Sequence, residues 1–275
     1  MSDSEAVNGD ANKGFTPILL FFVFTFVISW GWALLVFFLP DVYYLQSYES
    51  VVGVLAIMFV GVQAFGPSIS ALLVTGVFEG KTGLKQFAKG LVKFKVKYYW
   101  YLLVFLLPVF AYSVPVAVNL ALGNPPNHEY FTSLWGITLA TVISNIIYAA
   151  VAEEPGWRGY ALPKLNQQFR PIISAVIIGV IWAFWHLLFY VFGSRDWITF
   201  PQFVFTVTVI SCIYTWIYLK TKSIPLMVIF HVMHNLSNTV FITYHNPLWG
   251  GIVYFAVLIV ILLRDSATLL KKPKP

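Results

Sequence analysis

The sequence predicts an all-α polytopic membrane protein, a bundle of eight transmembrane helices with both termini in the cytoplasm. Three observations lead there. Of 275 residues, 59% are hydrophobic and 10% are charged, far from the roughly 25% charged residues of an average soluble domain. The apolar residues form eight runs, each near the ~20 residues that a helical span needs. The basic residues then fall in alternate connections, as an even number of spans requires. No ~10-residue segments of alternating polarity mark a β-barrel.

Residues 1–15 are polar and small and read as a disordered cytoplasmic tail. The membrane domain covers 16–263, with spans expected at 16–39, 52–78, 98–121, 132–153, 172–192, 200–219, 223–244 and 247–263. The first run is too long for a ~7–15-residue signal-peptide core and reads as a retained span. Pro67 and Pro108 interrupt the second and third spans, which membrane helices tolerate when neighbours satisfy the freed carbonyls. Cys212, the single cysteine, excludes an intrachain disulfide and reads as apolar filler of the sixth span. Residues 264–275 form a basic cytoplasmic tail.

Orientation follows from charge. One set of alternate segments holds Lys13, the run from Lys81 to Lys97, Arg158, Lys164, Arg170, Lys220, Lys222, Arg264, Lys271, Lys272 and Lys274. That is all but one of the 17 Lys and Arg residues, and the opposite side holds only Arg195. Cytoplasmic loops carry the Lys and Arg excess, so these segments are assigned to the cytoplasm. The net charge of +6 is thereby explained without a nucleic-acid partner. The Lys81–Lys97 run is expected to contact lipid headgroups of the bilayer.

Against this apolar background, three groups of polar residues stand out. The first is Glu153-Glu154-Pro155-Gly156-Trp157-Arg158. Glu154 and Arg158 are four apart and share a helical face, so they can pair. Glu153 is rotated by ~100° and stays free to point elsewhere. The alternative is a Glu–Arg lock alone, with Trp157 and Tyr160 as interfacial anchors. The second group is Trp182 and His186, one turn apart. The third is the stripe His231, His234, Asn235 and Asn238 on the seventh span. Such a stripe must face the bundle interior or a wet cavity, as hydrogen-bonding glue or as a site.

Together these groups supply a base for water, a group to orient that water, and donors for an oxyanion. Glu153, His186 and the His231/Asn235 pair can fill those roles in that order. No serine or cysteine stands beside a base, so a covalent nucleophile is not suggested. His186, His231 and His234 could alternatively supply three nitrogen ligands to zinc, but the His-Glu-x-x-His helix is absent. The expectation is therefore a site with no metal and no cofactor. An intramembrane proton relay is a further alternative.

At these residues the chain resembles the CAAX-protease and bacteriocin-processing (CPBP) family of intramembrane glutamic endopeptidases. That family carries Glu-Glu-x-x-x-Arg, Phe-x-x-x-His and His-x-x-x-Asn on an eight-span core. The first motif is matched from Glu153 to Arg158, the second at His186 with Trp182 in place of Phe, and the third by His231 to Asn235. His234 to Asn238 also fits the bare third pattern, but Ser223-Ile224-Pro225-Leu226 resembles the family's lead-in to the first histidine. The likeness covers about 130–245, the expected catalytic core. It implies that Glu153 and His186 activate water while His231 and Asn235 bind the oxyanion, with Glu154, Arg158 and Trp182 in support. It also implies a lipidated or membrane-associated protein substrate, as in the proteases that trim prenylated Cys-a-a-X termini. The expected setting is a prokaryotic plasma membrane with the site open to the cytoplasm. The alternative within the same fold is a non-catalytic scaffold or bacteriocin-immunity protein.

Depth adds a constraint. If the fifth span starts near Pro171, His186 lies ~21 Å along it at 1.5 Å per residue. A surface Glu153 could not share a water with it. Glu153 is therefore expected within the bilayer, facing His186, His231 and Asn235 across a wet cavity, with Arg158 kept inside by Glu154.

Overall fold

In the computed structural model, residues 3–39, 51–123, 139–191, 199–241 and 247–272 are described, and among them every regular element is helical. Among the described residues, each of the eight expected windows overlaps helix. The helices are α1 (Asp3–Phe37), α2 (Val51–Gly61), α3 (Gly66–Leu91), α4 (Tyr98–Ala121), α5 (Leu139–Ser144), α6 (Leu162–Gln168), α7 (Pro171–Trp185), α8 (Leu187–Val191), α9 (Phe200–Thr221), α10 (Ile224–Phe241) and α11 (Pro247–Leu270). A 3₁₀ turn, Val62–Phe65, joins α2 to α3, and two π-helical segments, Asn145–Val151 and Pro155–Ala161, lie between α5 and α6.

Six helical stretches among the described residues are long and apolar enough to cross a membrane. They match the first, second, third, sixth, seventh and eighth windows. The other two windows carry the glutamates and His186, and neither is a plain span. The part of the fourth before residue 139 lies outside the described residues, as do Pro125, Pro126, Arg195 and Lys274. The fifth breaks at His186, between α7 and α8.

Element ends also differ from the sequence reading. The first helix begins at Asp3, where a disordered tail was expected, because extending a formed helix is cheap once the apolar stretch has nucleated it. The second window runs on as helix to Leu91 through Gly80. Gly80 sits at φ 61°, ψ −156°, a conformation essentially restricted to glycine. That break separates the apolar part of α3 from the lysine-bearing helical stretch that follows. The last helix continues to Leu270 through a kink at Asp265, which ion-pairs with Lys220 at 2.6 Å and accepts the Trp216 indole N–H at 2.9 Å.

Burial identifies the centre of the bundle. The apolar window of α9 is 56% buried, against 22% for those of α1 and α11. Its neighbours α7 and α11 pack along it, α10 packs on α4, and α1 packs on α3. Cys212 is buried in α9, as expected of a filler. Hydrogen bonds glue the helices together, as membrane bundles require. Ser211 donates to the Ala175 carbonyl at 2.8 Å, Ser29 to that of Gln63 at 2.6 Å, and Trp30 to that of Trp185 at 3.0 Å.

Candidate active site

The glutamates are carried by distorted helix. Pro155 has no N–H to give, and the chain on both sides of it widens into the two π-helical segments. Such bulges are rare and concentrate at functional sites. The second segment is clamped against the start of α3. A Cβ on Gly156 would lie 2.5 Å from the backbone carbon of Pro67, so only glycine allows that approach. Trp157 and Tyr160 do not anchor an interface. They are 0% and 3% exposed and pack against Phe21 with ring centroids 5.7 and 5.1 Å away. The carboxylates are thus held in the interior: Glu153 is 4% exposed and Glu154 and Arg158 are 0%.

The two carboxylates have different partners. Arg158 Nη1 lies 3.0 Å from Glu154 Oε1, the pairing that the four-residue spacing suggested. The guanidinium is also sandwiched between aromatic faces, 4.4 Å from the Trp182 ring and 4.0 Å from that of Tyr214. A planar, weakly hydrated cation suits such a slot. The same Glu154 oxygen accepts from His231 Nδ1 at 2.8 Å. Glu153 takes no cation as a hydrogen-bond partner among the described residues. Its Oε2 accepts the indole N–H of Trp182 at 2.6 Å and that of Trp157 at 3.4 Å.

Trp182 is the hub of the arrangement. Besides donating to Glu153, its ring centroid lies 5.4 Å from that of His231 and 6.0 Å from that of His186. Its carbonyl accepts from His186 Nδ1 at 2.8 Å. With Nδ1 carrying the proton, the lone pair of the neutral His186 ring is on Nε2. His231 is fixed likewise by Glu154, so its Nε2 accepts in the neutral ring and donates only from the imidazolium. His234 faces other partners, with Nδ1 3.2 Å from the Tyr254 hydroxyl and Nε2 3.4 Å from that of Tyr112.

These residues meet at one cavity of about 620 Å³, lined among others by Glu153, Trp182, His186, His231 and Asn235. His234 and Asn238 line it too. Every residue proposed from sequence to touch the substrate is therefore at one wall system, contributed by the turn between the two π-helical segments, the residue that closes α7, and α10. The buried course of the chain around Glu153 and the break at His186 bring both residues to Trp182. Among the described residues, no three His, Cys, Asp or Glu side chains are grouped to hold a metal ion.

Two comparisons with known proteins bear on this region. Residues 135–237 match the family described as Type II CAAX prenyl endopeptidase Rce1-like. The chain is also 29% identical over 183 residues to CAAX prenyl protease 2 of Methanococcus maripaludis, covering 62% of this chain and 67% of that protein. Both similarities point to the CPBP family that the three motifs resemble. The matched region contains all three motifs, and the similarities together with the long apolar helices support an integral membrane peptidase.

Three features of this site were not read from the sequence. Trp157 is four residues from Glu153, a spacing that permits the contact, but it entered the sequence reading only as an interfacial anchor in the lock alternative. Trp182 was treated as a neutral stand-in for Phe, although only an indole brings an N–H to the carboxylate. The Glu154–His231 bond joins residues 77 apart and carried no local signal.

Proposed function

We propose that this protein is an intramembrane endopeptidase that hydrolyses a peptide bond with a water activated by Glu153. Glu153 takes a proton from the water as its oxygen attacks the carbonyl carbon, and His186 Nε2 accepts a hydrogen bond that aims it. His231, as the imidazolium with its Nδ1–H on Glu154, and Asn235, both from α10, donate to the oxyanion that forms. The C–N bond then breaks, the proton passes to the leaving amine, and a new carboxylate is released without a covalent enzyme intermediate. Glu154 and Arg158 act through His231 rather than on the substrate. The indole donors on Glu153 Oε2 hold the carboxylate while its other oxygen faces the cavity.

The observation that carries this reading is the cavity itself, which collects Glu153, His186, His231 and Asn235 from three separate segments. The substrate class proposed is a membrane-associated protein with a prenylated Cys-a-a-X terminus, by likeness to the named relative. The proposed topology is eight spans, both termini in the cytoplasm and the cavity open to that side, supported by the charge asymmetry of the connections.

The test uses purified protein and a farnesylated peptide ending in Cys-a-a-X. Glu153→Gln should abolish release of the terminal tripeptide while the protein stays folded and membrane-inserted. Cleavage at the wild-type rate would show that Glu153 is not the base.

A further inference from the structure

Behind the active site lies a second cavity of about 550 Å³ that shares no lining residue with the first. The two lie on opposite faces of the same segments. On α10, Val228 and Val232 line the second cavity, whereas His231 and Asn235 line the first. Beside the glutamates, Val151 and Pro155 line the second and Glu153 the first. Phe105 of α4 closes the far side. Every lining residue is apolar, so nothing there could orient a peptide or a polar cofactor, and the shape suits hydrocarbon.

One end is different. Leu91 and Phe94 line it with Lys93 between them, and Ile224 lines it two residues after Lys222. Ser223 Oγ donates to the Lys93 carbonyl at 2.6 Å, tying the two lysine-bearing connections together. Lys222 closes α9 in the left-handed conformation at φ 52°. Both lysines are exposed, and neither makes an ion pair among the described residues. Burial and the Lys93 charge lower the Lys222 pKa. Two unneutralised cations held close together favour an anion between them.

The length of the groove is informative too. Its lining on α10 runs from Ile224 to Leu236, about 18 Å at 1.5 Å per residue. That is close to one leaflet, roughly half of a ~30 Å hydrocarbon core. Lysines at the mouth and a leaflet-long apolar wall together have the profile of a phospholipid.

We propose that this groove binds an anionic bilayer phospholipid, its phosphate bridging Lys93 and Lys222 and one acyl chain lying against Phe94, Phe105, Val228 and Val232. The inference goes beyond the peptidase reading and does not depend on it. A substrate's prenyl chain fits less well, because it starts at the residue beside the cleaved bond and no lining residue joins the two cavities. The bound chain presses on the backs of the segments that carry Glu153 and His231, so its presence supports their spacing.

The experiment uses the full-length, delipidated protein in detergent and two photoactivatable lipids with the same diazirine-bearing acyl chain, a phosphatidylglycerol and a phosphatidylcholine. Cross-links are mapped by mass spectrometry. Phosphatidylglycerol should label peptides spanning 224–236 at least about five-fold more than phosphatidylcholine. The paired exposed changes Lys93→Ala and Lys222→Ala should bring that excess down to the phosphatidylcholine level without altering thermal unfolding. Val228→Trp, which fills the groove, should remove the labelling by both lipids. Equal labelling by the two lipids, or an unchanged excess in the double-lysine variant, overturns the proposal. Displacement of the label by excess farnesylated peptide overturns it as well, by assigning the groove to the substrate's chain.

Discussion

The bond between Glu154 and His231 turns what looks like a structural lock into part of the site, and the two roles can be separated. In the protein, one oxygen of Glu154 serves Arg158 Nη1 at 3.0 Å and His231 Nδ1 at 2.8 Å, with Glu154 and Arg158 both 0% exposed. Glu154→Gln leaves the guanidinium buried between Trp182 and Tyr214 without its counter-charge. Breaking a buried pair by removing one partner costs about 3–5 kcal/mol of stability, whereas replacing both charges by apolar side chains of similar volume is often neutral. Glu154→Gln should therefore be strongly destabilised, and Glu154→Leu combined with Arg158→Met should recover most of that loss. Turnover should not recover, because in the double variant His231 has no acceptor on Nδ1 and its ring is no longer fixed. Stability is read from denaturant unfolding in detergent, and activity from tripeptide release by a farnesylated peptide. A double variant with wild-type kcat would refute the reasoning, since Glu154 would then be a charge partner of Arg158 and nothing more.

Three further outcomes are expected. Asn235→Ala should lower kcat by about 10²–10³-fold with little change in KM, as for the loss of one oxyanion donor; a pure KM effect would move Asn235 to substrate binding. Trp182→Phe removes the 2.6 Å indole bond to Glu153, and a hydrogen bond to a charged group is worth about 1.5–3 kcal/mol. Its kcat should fall by roughly 10–150-fold, and an unchanged kcat would mean that Trp157 holds the carboxylate unaided. His234→Phe should lose stability but keep most turnover, because both ring nitrogens face tyrosine hydroxyls. Abolished turnover there, with an active His231→Ala, would transfer the third motif to His234 and Asn238.

What the amino-acid order determined alone was whatever depends on sums over neighbouring residues. Membrane insertion is such a property, because the transfer of apolar side chains adds up along a run of ~20, and the windows for α1, α4, α9, α10 and α11 fell on helices long enough to span. The Glu154–Arg158 pair was equally legible, since four residues of helix bring two side chains together wherever the helix sits. The breaks were less so. Pro155 announced a distortion, but two π-helical segments and the stop at His186 depend on what packs around them, such as Gly156 against Pro67. The assignment of partners within the site was decided by tertiary structure. Trp182 reaches Glu153 across 29 residues and His231 reaches Glu154 across 77. A buried polar atom takes whichever complementary group the packed helices place within about 3 Å, and no periodicity in the chain encodes that distance.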